Sequence, residues 1–223
     1  MSEHHGREAT WTDTGRAVAF SDGVFSIIIT VLVLDLRPPQ APPGRLLYGL
    51  IGQWPTYLAY VTSYAYVAVV WLNHKAAFMR VRWMDRALQW ANLGILFTTA
   101  LIPFPTAVVS EVMPKHNALD TRVAVSFYAA VGVVLCAAWV VFFNYLRRHP
   151  ELLNENIDER FFDGETKRAM AGVILYAAAA VLGYFIAPPL ALLIFLALAI
   201  FYGVTSHGLY PTLRRVRMDK TGN

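Results

Sequence analysis

Long apolar runs separated by short polar stretches organise this chain. The runs lie at about 17–36, 46–73, 87–110, 119–146, 168–187 and 190–209. Each approaches the ~20 residues that a helix needs to cross a hydrocarbon layer about 30 Å thick. The pattern predicts an all-α integral membrane protein with six spanning helices. The second and fourth runs are long enough to tilt or to project into the interface. Pro103 and Pro105 predict a bend or an end in the third. Ala187-Pro188-Pro189 predicts a tight hairpin between the last two, because proline cannot continue a helix. The stretch 147–167, "RRHPELLNENIDERFFDGETK", alternates in charge and is expected in water. These limits imply an N-terminal tail over 1–15, a six-helix domain over 16–210 and a C-terminal tail over 211–223.

Composition supports a membrane setting. Hydrophobic residues make up 57% of the chain and charged residues 15%, against roughly 45–50% and about 25% in soluble domains. A net charge of +4 is compatible with a nucleic-acid partner, but the placement of the basic residues argues otherwise. With the N-terminus inside, fifteen of the nineteen Lys and Arg fall in the inner segments. Only Arg37, Arg45, Lys115 and Arg122 fall outside. The positive-inside rule therefore predicts both termini in the cytoplasm, with basic residues as topology anchors and no nucleic-acid partner.

The single cysteine, Cys136, excludes a disulfide framework and a CxxC metal pair. The polar start "MSEHHGREATWTDTG" lacks the form of a cleavable signal peptide. There is no Walker loop, GxGxxG, GxSxG or HExxH, and no convincing internal repeat. His4 and His5 read as tail residues, while His116, His149 and His207 lack ligand spacing. No metal or cofactor site is expected, and no enzyme.

The first run, "RAVAFSDGVFSIIITVLVLDL" (16–36), carries a carboxylate, Asp22, near its start. An ionisable residue within a span needs a partner and is a functional hypothesis by default. Asp22 is either a structural anchor, satisfied by hydrogen bonds at the inner end of the bundle, or an ion ligand or proton relay. At about 100° per residue, Phe20, Val24, Ile27, Val31 and Leu34 form one stripe, while Asp22, Ser26, Ile29, Val33 and Leu36 form another. Asp22 and Ile27 stand about 140° apart, so they cannot share a narrow conduit and one of the two is structural. In the second run Tyr57, Tyr60, Tyr64, Val67, Trp71 and His74 share a face. Trp71 and His74 lie at about the depth of Asp22, and both offer N–H donors to a carboxylate. Asn92 in the third run needs partners too, and the same cluster is the economical place. Thr98 and Thr99 are expected to bond between helices.

Arg16-x-x-x-Phe20-Ser21-Asp22-Gly23 followed by "VFSIIIT", with Trp71-x-x-His74 and with Asn92 ahead of "PF", resembles the transmembrane protein 175 family. The motifs cover helices one to three; the later helices agree in number and character. The resemblance implies a potassium-preferring cation channel without a TVGYG filter, a homotetramer in the cell membrane whose first helices line a central pore. K+ would be the permeant ion, and no cofactor would be needed. Ile27 matches the main pore constriction, with Val31 and Leu34 continuing it outward. Val31 is shorter than the leucine expected there. Ser26 and Thr30 match polar positions associated with potassium preference. Arg16, Phe20, Ser21, Asp22, Trp71, His74 and Asn92 match a packing network that braces the pore helix. Asp35 lies about 80° from Ile27 at the expected outer mouth, where it either attracts cations or pairs with Arg37.

Two other functions remain open at this stage. A proton-coupled secondary transporter would use Asp22 and His74 as a relay, and predicts a protonatable residue on the path and an inverted repeat. An intramembrane enzyme would need a nucleophile–base pair or a metal triad, and neither is apparent.

Overall fold

Asp13 opens the first helix. Its side chain accepts a hydrogen bond from Gly15 N at 3.0 Å, which satisfies one free N–H of helix α1, Thr14–Val31. The computed structural model describes residues 12–115, 117–155, 160–186 and 188–205. Residues 1–11 and 206–223, with His4, His5, His116 and His207, lie outside them. Helix α1 tightens into a 3-10 turn at Leu32–Asp35. A short helix α2, Leu46–Gly52, precedes α3, Trp54–Phe78. Helices α4 (Arg86–Ala100), α5 (Pro103–Val112), α6 (Ala118–Arg148), α7 (Arg160–Phe185) and α8 (Pro188–Val204) follow.

The structure divides two of the expected runs. The second breaks at Gln53, and Pro55 sits in the first turn of α3, where its missing N–H removes no helical bond. The third breaks after Ala100, and Pro103 starts α5 in the same way. Among the described residues four helical stretches are long and apolar enough to cross a membrane: Thr14–Asp35, Arg86–Lys115, Ala118–Arg148 and Phe161–Phe185. Leu190–Val204 is apolar but shorter. Helix α3 has the length, at 25 residues, but its Tyr, Trp, Ser and Thr side chains lower its apolarity.

Part of the stretch expected in water is built into the fold. Helix α7 begins about two turns earlier than the pattern predicts, because Phe162 is buried at 1% exposure. Upstream, Leu152 is also buried, and its segment docks on the turn after α3. Arg82 N donates to Leu152 O at 2.8 Å, and Asn154 N donates to Arg80 O at 2.9 Å. The same turn carries strand β2, Trp83–Met84, which pairs antiparallel with strand β1, Thr12–Asp13, just before α1. One turn thus joins the start of α1 to the segment between α6 and α7.

Helix α1 packs on α3 and α4, while α6 and α7 run side by side. Gly132 on α6 permits this approach, since a Cβ there would come within 2.9 Å of the Tyr176 ring. The core contains Phe25, Ile28 and Leu32 of α1 and an aromatic cluster of Phe78, Trp139, Phe142 and Phe143.

Candidate pore helix and its brace

The buried positions of α1 and its terminal turn are Ser21, Phe25, Ile28 and Leu32, at spacings of four, three and four. They form one stripe toward α3 and α4. Phe20, Ile27, Val31 and Leu34 lie exposed outside this stripe, with Ile27 at 64% and Leu34 at 68% exposure. Asp22, Ser26 and Thr30 are exposed as well.

Two separate sets of hydrogen bonds tie α1 to α3 and α4. Trp71 Nε1 donates to Asp22 Oδ1 at 2.8 Å. Separately, His74 Nε2 lies 2.8 Å from Asn92 Oδ1, and Asn92 Nδ2 donates to the Ser21 hydroxyl at 3.1 Å. Ser21 Oγ then donates to Ala17 O at 2.8 Å. An amide oxygen only accepts, so His74 carries its proton on Nε2 in this arrangement. The imidazole is 1% exposed and stacks on Phe78 at 4.3 Å, with Phe25 at its edge at 5.2 Å. Asn92, itself buried, bridges α3 to α1 by accepting from one and donating to the other.

The sequence pattern led us to expect both donors of the second run at Asp22. The structure divides them instead: Trp71 serves Asp22, and His74 serves Asn92. No direct hydrogen bond joins Asp22 to His74 among the described residues. Arg16 and Phe20 are not part of the cluster. Both are exposed and line a cleft with Thr12, Gln89 and Leu93 between the start of α1 and α4.

The hydroxyls of Ser26 and Thr30 bond back to their own helix. Ser26 Oγ donates to Asp22 O at 2.8 Å, and Thr30 Oγ1 to Ile27 O at 2.8 Å. Each oxygen keeps lone pairs for a second partner. Asp35 is half-buried in the terminal turn, and its carbonyl accepts from Arg37 N at 3.1 Å. No side-chain ion pair joins Asp35 to Arg37 among the described residues. Thr98 and Thr99 likewise bond within α4, to Gly94 O and Ile95 O, rather than between helices.

Sequence reasoning missed a second polar cluster. Ser63 Oγ lies 2.7 Å from Thr106 Oγ1 and 2.8 Å from Tyr128 Oη, tying α3, α5 and α6 together in the core. Nearby, Thr56 Oγ1 donates to Ser110 O at 3.2 Å. Each of these hydroxyls sits in an apolar run without periodic company, so only the packing reveals them as partners.

Residues 16–103 match the family model described as the endosomal/lysosomal potassium channel TMEM175. A protein named a potassium channel from Streptomyces collinus is 36% identical over 192 residues, covering 86% of this chain and 92% of its own length. Another of that name, from Chamaesiphon minutus, is 38% identical over 203 residues, covering 88% and 96%. The human protein named endosomal/lysosomal proton channel TMEM175 is 28% identical over 181 residues; these span 76% of this chain and 35% of the human one. The crystal structure of a lysosomal potassium-selective channel TMEM175 homolog from Chamaesiphon minutus superposes with a TM-score of 0.76 at 34% identity. It covers 87% of this chain and 98% of that one.

Proposed function

The chain belongs to the TMEM175 family of membrane ion channels, and on that premise we propose that it is a potassium-preferring cation channel. In this reading it is a homotetramer in the cell membrane, with α1 of each subunit lining a central pore. Six spans are formed by α1 with its terminal turn, α3, α4 with α5, α6, α7 and α8. Both termini lie in the cytoplasm, following the distribution of Lys and Arg.

The observation that carries this reading is the division of α1 into a packed face and an open one. The open side exposes Ile27, Val31 and Leu34, yet Arg16, Asp22, Ser26 and Thr30 are exposed on the same helix. A helix turned toward lipid would not present that set, because ionisable side chains in hydrocarbon cost several kcal/mol. A position among other copies of the chain suits it better. One such helix cannot enclose a conduit, so the pore needs several.

Within the pore, Ile27 forms the narrowest apolar ring, and Val31 and Leu34 continue it outward. Such a ring gates by dewetting and passes ions that shed water readily, which favours potassium over sodium. Ser26 and Thr30 border the ring with hydroxyl oxygens. Asp35 contributes negative potential at the outer mouth. The bonds of Trp71 to Asp22 and of Asn92 to Ser21 hold α1 in rotation, and so keep Ile27 aimed at the axis. The permeant ion is K+, and conduction needs no cofactor.

Reconstitution into liposomes under opposing potassium and sodium gradients tests the reading. Large ohmic currents reversing toward the potassium equilibrium potential are expected. Saturable flux that requires a counter-ion would instead establish a transporter.

A further inference from the structure

Helix α2, Leu46–Gly52, buries none of its own residues. Its two glycines show which side is held. At about 100° per residue, Gly49 and Gly52 stand about 60° apart on one side. Going around the rest of the helix, Leu46, Leu50, Leu47, Ile51 and Tyr48 follow one another over an arc of about 200°. Gly49 lies against the proline-rich strap that leads in from α1, since a Cβ there would be 3.0 Å from Pro39 Cβ and 3.1 Å from Ala41 Cβ. All five apolar side chains are exposed, with Leu47 at 67% and Tyr48 at 76%. That arc is twice as wide as the roughly 100° stripe with which a helix packs on a protein core. A medium that surrounds the helix suits it better than one flat partner.

The charges set the depth of α2. No Asp, Glu, Lys or Arg lies between Arg45 and Lys75. Helix α3 by itself has 25 residues, about 37 Å at 1.5 Å each, which already exceeds a hydrocarbon layer of about 30 Å. Counting about 20 residues back from Lys75, near one end of α3, reaches Pro55. Helix α2 therefore lies beyond the hydrocarbon, at the level of the lipid headgroups. Arg45 stands exposed before it, and Trp54, 52% exposed, follows it. Long cationic chains and indole rings are the groups that settle at this boundary.

We propose that α2 is a lipid-binding surface, an anchor seated in the interface of the leaflet at the far end of α3 from Lys75. Leu46, Leu50, Leu47 and Ile51 rest on the upper acyl carbons, and Tyr48 at the edge of the arc keeps its hydroxyl among the headgroups. Arg45 reaches the lipid phosphates. The strap at Pro39 and Ala41 covers the opposite, aqueous side. The proposal rests on the membrane setting of the chain and not on which ion the pore passes.

Nitroxide labels on Leu47→Cys and Ile51→Cys, in phosphatidylcholine–phosphatidylglycerol liposomes, test it without any current. Both side chains are exposed, so neither change removes a packing contact, and the parent protein carried through the same labelling gives the background from buried Cys136. Gln40→Cys, on the exposed strap, serves as the aqueous reference. Collision with oxygen relative to a water-soluble nickel chelate should be severalfold higher at both α2 positions than at residue 40. Low collision with both reagents would mean that a second copy of the chain covers α2, and chelate collision equal to that at residue 40 would place α2 in water. Either result would overturn the proposal and leave the proposed potassium conduction untouched.

Discussion

Trp71 Nε1 and Asp22 Oδ1 meet at 2.8 Å across the contact between α3 and α1, and this bond leaves Ile27 on an open part of α1. The carboxylate is thereby engaged by the scaffold. Trp71→Phe keeps the ring and removes the donor. Hydrogen bonds to charged groups contribute about 1.5–3 kcal/mol when shielded, and exposure of Asp22 places this one near the lower end. We expect a modest fall in thermal stability of the reconstituted protein, followed by tryptophan fluorescence. Asp22→Ala should mainly impair assembly, read by size-exclusion chromatography. A stable assembly of unchanged size with altered selectivity alone would refute the bracing role.

Ile27→Asn places an amide where the apolar ring is proposed. The ring should stay wet, and single-channel conductance should rise severalfold with weaker discrimination between potassium and sodium. Unchanged conductance would move the constriction elsewhere.

Asn92 is buried and serves two partners, so its loss should cost more than that of an exposed pair. Asn92→Leu strands His74 Nε2 in the core and removes the donor to the Ser21 hydroxyl, which keeps its bond to Ala17 O. A stranded buried polar group costs about 1–3 kcal/mol. The melting temperature should fall further than in Trp71→Phe, and differential scanning fluorimetry ranks the two.

Leu152 tests the docking of the segment between α6 and α7. Its side chain is 1% exposed, and its carbonyl accepts from Arg82 N. Leu152→Ala should destabilise by about 2–5 kcal/mol if the site cannot collapse. Because the same turn carries Trp83–Met84 against Thr12–Asp13, amide exchange should quicken at Arg82 and also at Asp13. Faster exchange at Arg82 alone would show that the two contacts are independent.

Gly132 tests the approach of α6 to α7. Gly132→Ala sets a methyl carbon 2.9 Å from Cδ1 of Tyr176, inside contact distance. A loss of about 1–3 kcal/mol is expected, the usual cost of overpacking, measured as a lower midpoint of thermal unfolding.

Much of this architecture is legible in the residue pattern, because hydrocarbon demands long apolar runs and helices repeat every 3.6 residues. Those two rules located the helical runs, set Asp22 and Ile27 on different faces, and placed Trp71, His74 and Asn92 at one depth. They did not separate donors into pairs. Trp71 and His74 are one turn apart on α3, and either donor was chemically suitable for Asp22. Which of them reaches it depends on the rotation and crossing of α1, α3 and α4. Arg16 belongs to the motif by spacing, yet it lines a cleft, because six residues before Asp22 place it about 240° around the helix axis.

Chain chemistry therefore determined the membrane setting, the periodic faces of α1 and the depth of its polar residues, since these follow from local geometry and transfer free energy. Tertiary structure alone decided three things. It gave Asn92 to His74, joined Ser63, Thr106 and Tyr128 across three helices, and folded Leu152 and Phe162 into the bundle. Each depends on contacts between residues distant in sequence, and hydrogen bonds are satisfied by whichever partner the packing brings within 3 Å or so.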